Sequence, residues 1–248
     1  NTLVVSPSPH AHTTESVPKL MYGVLISLVP AFLVSVYFFG IGMLIVTTVS
    51  VVSCVLFEYL IQKYMLKVKP THLDGSAVLT GLLLAFCLPA NIPFWMVIIG
   101  ALAAIGIGKM TFGRLGNNIF NPALVGRVFL LISFPVQMTR WPTAVENNTR
   151  LVDAVTGATP LGMIKEGVQF GETMSQISTR LPSHTDMLLG LTAGSLGEMS
   201  ALALILGGIY LIARRVISWH IPVTVLATIA LMTGLFWWAD PEQYANPL

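Results

Sequence analysis

The residue best placed to do chemistry is a threonine in the longest polar segment of an otherwise apolar chain. Thr159 closes a motif that contains Asp153, Thr156, Gly157 and Ala158. Its hydroxyl can be joined to a phosphoryl group. Asp153 could hold a metal or polarise that hydroxyl, and the small residues permit close approach of a donor. The motif therefore offers a hydroxyl that can accept a phosphoryl group when a transferase presents the donor.

The same threonine has the features of a helix start. Pro160 suits the first turn of a helix whose N-cap is Thr159. A phosphate on the hydroxyl would then meet the free amides of that helix. The alternative is an ordinary capped helix in which Thr159 does no chemistry. The leading Asp153 and the neighbouring motifs favour the chemical interpretation.

A second group of polar residues precedes an apolar run. Asn117 and Asn118 lie in a glycine-containing loop, and Asn121 stands directly before Pro122, so it can cap the helix that follows. Asparagine amides both donate and accept, which suits the edge of a flavin ring or a ubiquinone-like carbonyl. A loop that only packs against and caps the helix is an equally good interpretation.

A third group surrounds a short apolar helix. Asp74 and Ser76 precede it and Pro89 follows it. A half-helix of this kind can frame an ion or cofactor site, whereas the alternative is a capped, tilted helix. Glu58 and Arg127 lie within apolar runs, where charge indicates function. Both are near enough to helix ends for their side chains to extend to the surface.

Composition places the chain in a membrane. Of 248 residues, 54% are hydrophobic and 10% are charged, against about 25% charged in soluble domains. The net charge of +2 is too small to indicate nucleic-acid binding. Cys54 and Cys87 lie in apolar runs and are expected to be packing residues. Without a Cys-x-x-Cys motif, this chain alone is not expected to build an iron–sulfur cluster.

Hydropathy predicts an all-α polytopic membrane protein. Gly100, Ala104 and Gly108 predict close packing of the fourth helix. Residues 186–196 are too short for a crossing and are expected to be interfacial or re-entrant. The seven expected spanning helices lie near residues 21–39, 41–61, 76–88, 93–108, 121–138, 200–213 and 221–239.

Lysine and arginine placement predicts a cytoplasmic N-terminal segment over residues 1–20. Helices one and two, and helices six and seven, form similar pairs of opposite orientation, which indicates an inverted repeat. We expect a first five-helix repeat at 21–138 and an extracytoplasmic, cofactor-bearing segment at 139–199. Residues 200–248 would begin the second repeat of a ten-helix fold, whose C-terminal helices are absent from this sequence.

Several blocks together resemble a known family. They resemble the D subunit of the Rnf complex, an ion-translocating ferredoxin:NAD⁺ oxidoreductase, and more distantly the B subunit of the sodium-pumping NADH:quinone oxidoreductase. In chain order, the blocks are Ser8-Pro9-His10-Ala11-His12, Phe120-Asn121-Pro122-Ala123, Ser133-Phe134-Pro135-Val136-Gln137-Met138, Asp153 to Leu161, and Trp219-His220-Ile221-Pro222.

The resemblance implies a flavoprotein that relays electrons while an ion crosses the membrane. FMN would be joined by a phosphoester to Thr159 on the extracytoplasmic side, and a non-covalent riboflavin would bind elsewhere. Implied partners are the lipid bilayer, an FMN transferase, a second FMN-threonine subunit, iron–sulfur subunits, and other membrane and peripheral subunits. The location would be a bacterial or archaeal plasma membrane. The resemblance assigns this chain no metal ligand and no catalytic side chain, since it would act only within the complex.

Two interpretations from other classes remain open. The same inverted fold could serve as a small-solute transporter or channel that has no redox cofactor. It could also be a passive membrane scaffold. Both predict a flavin-free protein, whereas the flavoprotein interpretation predicts flavin that stays on the denatured chain.

Overall fold

The computed structural model describes residues 16–68, 71, 74–113, 115–143, 156–241 and 244. Within these ranges the chain is helical, and its β-structure is limited to one isolated bridge between Pro142 and Thr156. The elements are α1 (Val17–Phe39), α2 (Ile41–Leu60) continued by the π-helical segment π1 (Ile61–Met65), α3 (Ser76–Phe86), α4 (Phe94–Leu102) continued by π2 (Ala103–Met110), α5 (Pro122–Ser133), α6 (Pro135–Met138), α7 (Pro160–Gln169), α8 (Met174–Ser178), α9 (His184–Leu189), α10 (Ala201–Ala213) and α11 (His220–Ala239).

The predicted fold class, an all-α polytopic membrane protein, is confirmed. Among the described residues, three helices are long and apolar enough to cross a bilayer, at Val17–Phe39, Ile41–Met65 and His220–Ala239. Shorter apolar helices lie at Ser76–Phe86, Phe94–Met110, Pro122–Ser133 and Ala201–Ala213. These seven segments correspond to the seven expected helices. The ten-helix inverted repeat stays a prediction.

One expected helix is divided in two. Residues 121–138 were predicted to be continuous, but Phe134 leaves the helical region with φ −136° and ψ 59°. Pro135 then begins the short α6. Proline disfavours the α conformation in the residue before it and cannot donate a backbone hydrogen bond, so the chain bends there.

The centre of the bundle depends on small residues, as the spacing in the fourth helix predicts. A Cβ placed on Gly100 would lie 2.5 Å from Leu130 Cδ1, and one on Gly108 would lie 2.9 Å from Pro122 Cα. A Cβ on Gly126 would lie 3.0 Å from the Ala104 Cβ. The continuous helix α4–π2 therefore packs directly on α5.

The segment after α9 folds back onto the end of α3 instead of forming a spanning helix. Helix α9 ends at Gly190, whose φ is 102°. Leu196 N–H then donates to Leu88 O at 3.2 Å, and Gly197 N–H donates to Phe86 O at 2.8 Å. The broken end of α3 thus receives hydrogen bonds from this loop. This arrangement agrees with the prediction that residues 186–196 do not make a full crossing.

Candidate functional site

Thr159 is the N-cap of α7, as the sequence predicts. Its backbone is extended, with φ −68° and ψ 157°, and its Oγ1 accepts a 3.1 Å hydrogen bond from Gly162 N–H. Pro160 occupies the first helical position, where its missing N–H leaves no bond unmade. The hydroxyl therefore lies at the positive end of a ten-residue helix.

The motif before this helix is fixed by the segment that follows α6. Gly157 N–H donates to Trp141 O at 3.0 Å, beside the bridge that joins Pro142 and Thr156. A Cβ on Gly157 would lie 2.6 Å from Thr143 Cγ2 and 3.4 Å from the Ala193 Cβ. Packing therefore requires the small residue that the sequence has here, and its role towards an incoming donor stays a prediction.

The Thr159 hydroxyl is partly accessible. Thr159 and Ala158 are both half-buried, so the hydroxyl is neither enclosed in the core nor fully in solvent. A Cβ on Gly162 would lie 3.2 Å from Thr159 Oγ1, so glycine keeps that side of the hydroxyl open. The predicted Asp153 lies outside the described residues.

The three predicted asparagines lie at the other end of α5 from Thr159. Asn121 is the N-cap of α5 and its Oδ1 accepts from Ala123 N–H at 3.0 Å, which confirms the predicted cap. Asn117 donates to Gly113 O at 3.4 Å, and Asn118 is half-buried. Twelve residues of helix span about 18 Å. One small ligand is therefore not expected to contact both Asn121 and Thr159.

Asn121 borders an apolar cavity of about 450 Å³. Phe112 and Phe120 contribute rings to its wall, and aliphatic side chains from π2 and α5 complete the lining. An amide beside aromatic rings suits a flavin or quinone, whose edge needs hydrogen-bonding groups and whose ring needs apolar contacts. Contact between these asparagines and a ligand stays a prediction.

A buried ion pair, which the sequence did not predict, joins α2 to π2. Glu58 was expected to extend to the surface, but that expectation is wrong, because its Oε2 lies 2.5 Å from Lys109 Nζ. Each side chain is 1% exposed. The two residues are 51 positions apart, so no local motif connects them. The π-helical segment π2 carries Lys109 to its partner.

Further polar side chains extend this pair to the helix ends. Lys109 Nζ also donates to Ser76 Oγ at 2.6 Å, and Ser76 Oγ donates to Asp74 Oδ1 at 2.5 Å. On the other side, Gln62 Nε2 donates to Glu58 Oε1 at 3.0 Å. We call Asp74, Ser76, Lys109, Glu58 and Gln62 the buried charge network.

Arg127 has partners of its own. It is half-buried, and its guanidinium lies close enough to the thiol of Cys87, near the end of α3, to influence that thiol electrostatically. Glu198, from the loop before α10, lies close enough to influence the same thiol electrostatically. Arg127 therefore contributes to the contact between α5, the end of α3 and the folded-back loop.

These features place the chain in the class of polytopic helical membrane proteins. Its distinguishing features are a capped polar helix outside the bundle and a charge network within the bundle. A model of the NQR2, RnfD, RnfE family matches residues 4–248, and the chain belongs to that family.

Individual relatives are similar over nearly the whole chain. The D subunit of the proton-translocating ferredoxin:NAD(+) oxidoreductase complex of Clostridium ljungdahlii is 43% identical over 238 residues, covering 95% of this chain and 70% of the relative. The D subunit of the Na(+)-translocating ferredoxin:NAD(+) oxidoreductase complex of Acetobacterium woodii is 46% identical over 235 residues, covering 94% and 69%. The D subunit of the ion-translocating oxidoreductase complex of Escherichia coli is 36% identical over 271 aligned residues, covering 98% and 76%. The resemblance to the D subunit of such complexes is confirmed.

Proposed function

We propose that this chain is the flavin-bearing D subunit of an ion-translocating ferredoxin:NAD⁺ oxidoreductase complex, with FMN on Thr159. Family membership and the names of the relatives support the complex. The observation that carries the flavin assignment is the half-buried Thr159 hydroxyl at the start of α7, beside Gly162, which has no side chain to cover it.

FMN can be attached to Thr159 by transfer from FAD. Thr159 Oγ1 forms a bond to the FMN phosphorus, the pyrophosphate bond breaks, AMP leaves, and the hydroxyl proton is released. A separate transferase would present the donor. The amides of Leu161 and Gly162 at the first turn of α7 then face the phosphate charge. The bound flavin supplies electron transfer, while the protein sets its position and surroundings.

Peptide mass analysis tests this assignment directly. The peptide that contains Thr159 is expected to carry the mass of FMN less water, and Thr159→Ala is expected to remove it. Thr179→Ala is the matched control, since that hydroxyl is exposed and lies outside the motif that contains Thr159. An unmodified Thr159 peptide from an assembled, active complex would disprove the proposal.

The rival interpretation, a flavin-free solute transporter or channel, predicts a different result from the same sample. Denaturing electrophoresis should show flavin fluorescence in the band of this chain if Thr159 is modified. In the assembled complex, Thr159→Ala should then abolish ferredoxin:NAD⁺ electron transfer. A band without flavin fluorescence, together with solute flux that Thr159→Ala leaves unchanged, would favour the transporter interpretation.

We further propose that a non-covalent flavin binds in the cavity beside Asn121. The amide at the cavity wall and the rings of Phe112 and Phe120 support this choice. Asn121→Ser tests it, because serine is also a good N-cap but lacks the amide. The expected result is loss of the extractable flavin with no loss of thermal stability. Retention of that flavin would place its site elsewhere.

We propose that the segment at 139–199 faces away from the cytoplasm, so that the Thr159 flavin lies on the extracytoplasmic side. Phe170 in this segment is 83% exposed, whereas Cys54 is fully buried and Cys87 is half-buried. A Phe170→Cys variant should therefore react with a membrane-impermeant thiol reagent added to intact cells. Labelling only after the membrane is opened would reverse the orientation.

A further inference from the structure

An apolar groove lies on the outside of the bundle, between π1 and the continuous helix α4–π2. Its volume is about 470 Å³, which is within the range of about 300–1,000 Å³ that small-molecule sites occupy. Side chains of π1 and Leu66 form one wall, and side chains between positions 99 and 111 form most of the other. Met65 and Leu102 in this lining are exposed, so the groove opens away from the core. We call it the π1–π2 groove.

The lining of the π1–π2 groove suits an apolar chain better than a polar ring. Among its described residues, only Thr111 carries a hydroxyl or a charge, and that hydroxyl already donates to Gly106 O at 2.8 Å. A flavin or quinone ring would therefore find few hydrogen-bonding groups here, in contrast to the cavity beside Asn121. A Cβ on Gly106 would have one neighbour within 4 Å, Ile61 Cδ1 at 3.9 Å. The glycine therefore leaves space that a chain of methylene groups can fill.

The length of the π1–π2 groove matches one leaflet of a bilayer. Ile99 and Thr111 bound its longer wall, and a helix of this length spans at most about 18 Å. The hydrocarbon of one leaflet is about 15 Å deep, half of the whole core. The apolar span Ile41–Met65 ends beside Leu66, which lines the same end of the groove as Thr111. Tyr64 at this end is exposed, as is usual for tyrosine at the level of the lipid headgroups.

An exposed cation lies at the headgroup end of the π1–π2 groove. Lys67 directly follows Leu66, and its ammonium makes no hydrogen bond or ion pair with another residue that the structure describes. Lys63 on π1 is exposed as well. Glu58, on the same helix, is buried and paired with Lys109, so its charge is already balanced. The surface around this end therefore carries excess positive charge, which attracts anionic lipids.

We propose that the π1–π2 groove binds one acyl chain of an anionic phospholipid whose phosphate pairs with Lys67. The lipid belongs to the leaflet that borders this lysine. Its glycerol backbone lies near Leu66 and Thr111, and the end of its chain reaches Ile99. The bound chain fills the gap between π1 and α4–π2 and stabilises their contact, since a ligand that binds only the folded protein raises its apparent stability. The site is separate from Thr159, so it does not depend on flavin attachment.

Photo-crosslinking of the protein in its assembled complex tests this site. The complex is placed in phosphatidylcholine nanodiscs that contain a small fraction of phosphatidylglycerol with a diazirine at the end of one acyl chain. A phosphatidylcholine with the same diazirine chain is the comparison probe. Peptide mapping should place the label on residues 99–103 and on Phe129, which line the inner end of the groove. We expect about fivefold more label from phosphatidylglycerol, which corresponds to about 1 kcal/mol for one lysine.

Two results with the wild-type complex would overturn the proposal. Equal labelling by the two probes would show that the groove is ordinary bilayer surface without selection for an anionic headgroup. Absence of label from the groove peptides with both probes would show that a neighbouring protein subunit covers the groove instead of a lipid.

Lys67→Asn tests the contribution of the charge. Lys67 has a φ of 52°, a left-handed conformation that asparagine adopts more readily than most residues. The variant should therefore fold normally, and its labelling by phosphatidylglycerol should fall to the phosphatidylcholine level. Arg215→Asn is the matched control, because Arg215 is also an exposed cation after an apolar helix, has a φ of 56°, and does not line the groove. Undiminished labelling of Lys67→Asn would contradict the proposal.

Gly106→Leu tests the contribution of the groove itself. The leucine side chain would occupy the space beside Ile61, so most of the label from both probes should disappear. Gly106→Ala adds only a methyl group in ordinary contact distance and should keep the label. An assembled Gly106→Leu complex that is labelled like the wild type would overturn the proposal. If this variant does not assemble, the surface variant Lys67→Asn still decides the outcome.

Discussion

Ser50 in α2 donates a 2.7 Å hydrogen bond to the carbonyl oxygen of Gly81 in α3, and the two backbones touch at this point. A Cβ on Gly81 would lie 2.7 Å from Val51 Cα and 3.1 Å from Ser50 O. This close approach holds the start of α3, with Ser76, against the helix that carries Glu58. The buried charge network therefore depends on a glycine that carries no charge itself.

Gly81→Ala should destabilise the bundle. The added methyl group would meet backbone atoms that cannot move aside, and such overpacking costs about 1–3 kcal/mol. We expect a lower midpoint of thermal unfolding in detergent. Gly23→Ala in α1 is the control, because nothing lies within 4 Å of its Cβ position. Equal stability of the two variants would show that the α2–α3 contact is looser than described.

Two adjacent glycines in α10 should respond differently to the same change. A Cβ on Gly207 would collide with the Ser27 carbonyl oxygen of α1, whereas a Cβ on Gly208 meets nothing within 4 Å. Gly208→Ala should be neutral or stabilise by up to about 1 kcal/mol, because alanine favours helix. Gly207→Ala should separate α10 from α1 and lower the unfolding midpoint. The measurement is paired thermal unfolding, and a reversed order would contradict the packing.

Gly157→Ala should reduce flavin attachment at Thr159. The new Cβ would lie 2.6 Å from Thr143 Cγ2, which would disturb the pairing between Trp141 O and the Gly157 amide. In-gel flavin fluorescence per chain measures the effect. Thr143→Ser removes the obstructing methyl group, so the double variant should recover attachment. Failure of this recovery would indicate that Gly157 serves the transferase directly instead of the local fold.

Gln62→Leu should loosen the chain between π1 and α3. It removes the hydrogen bonds to Thr71 and leaves Glu58 Oε1 without its amide donor. Leaving buried polar groups unsatisfied costs about 1–3 kcal/mol. We expect faster tryptic cleavage after Lys67, which is exposed. Gln169→Leu, at an exposed site on α7, serves as control. Equal cleavage rates in the two variants would argue against the role of Gln62 in holding Thr71.

Hydropathy located the helices well, because each spanning segment must satisfy its backbone internally and bury apolar side chains. Local rules also located the caps: Thr159 with Pro160, and Asn121 with Pro122, need only neighbours in sequence. The same local rules also predict a break at Phe134, because Pro135 follows it. Treating residues 121–138 as one continuous apolar run obscured that signal.

The ion pair between Glu58 and Lys109 could not be predicted from neighbouring residues in the sequence. Lys109 looks like an orientation marker in sequence, and nothing nearby indicates a partner 51 residues earlier. The π-helical geometry of residues 103–110 also changes which face Lys109 occupies, and periodicity arguments assume 3.6 residues per turn. A charged residue in an apolar run was the available signal. Two such residues on separate helices, Glu58 and Lys109, are the trace that a buried ion pair leaves in a sequence.

The π-helical segment that carries Lys109 makes its placement depend on how the helix is wound as well as on residue type. If the same residues from Ala103 to Lys109 formed an ordinary α-helix, the lysine would be turned by about 100° around the axis. The ammonium would then point away from Glu58 although every interacting side chain was still present. The ion pair therefore depends on the winding of this helix as much as on the identity of the acidic residue.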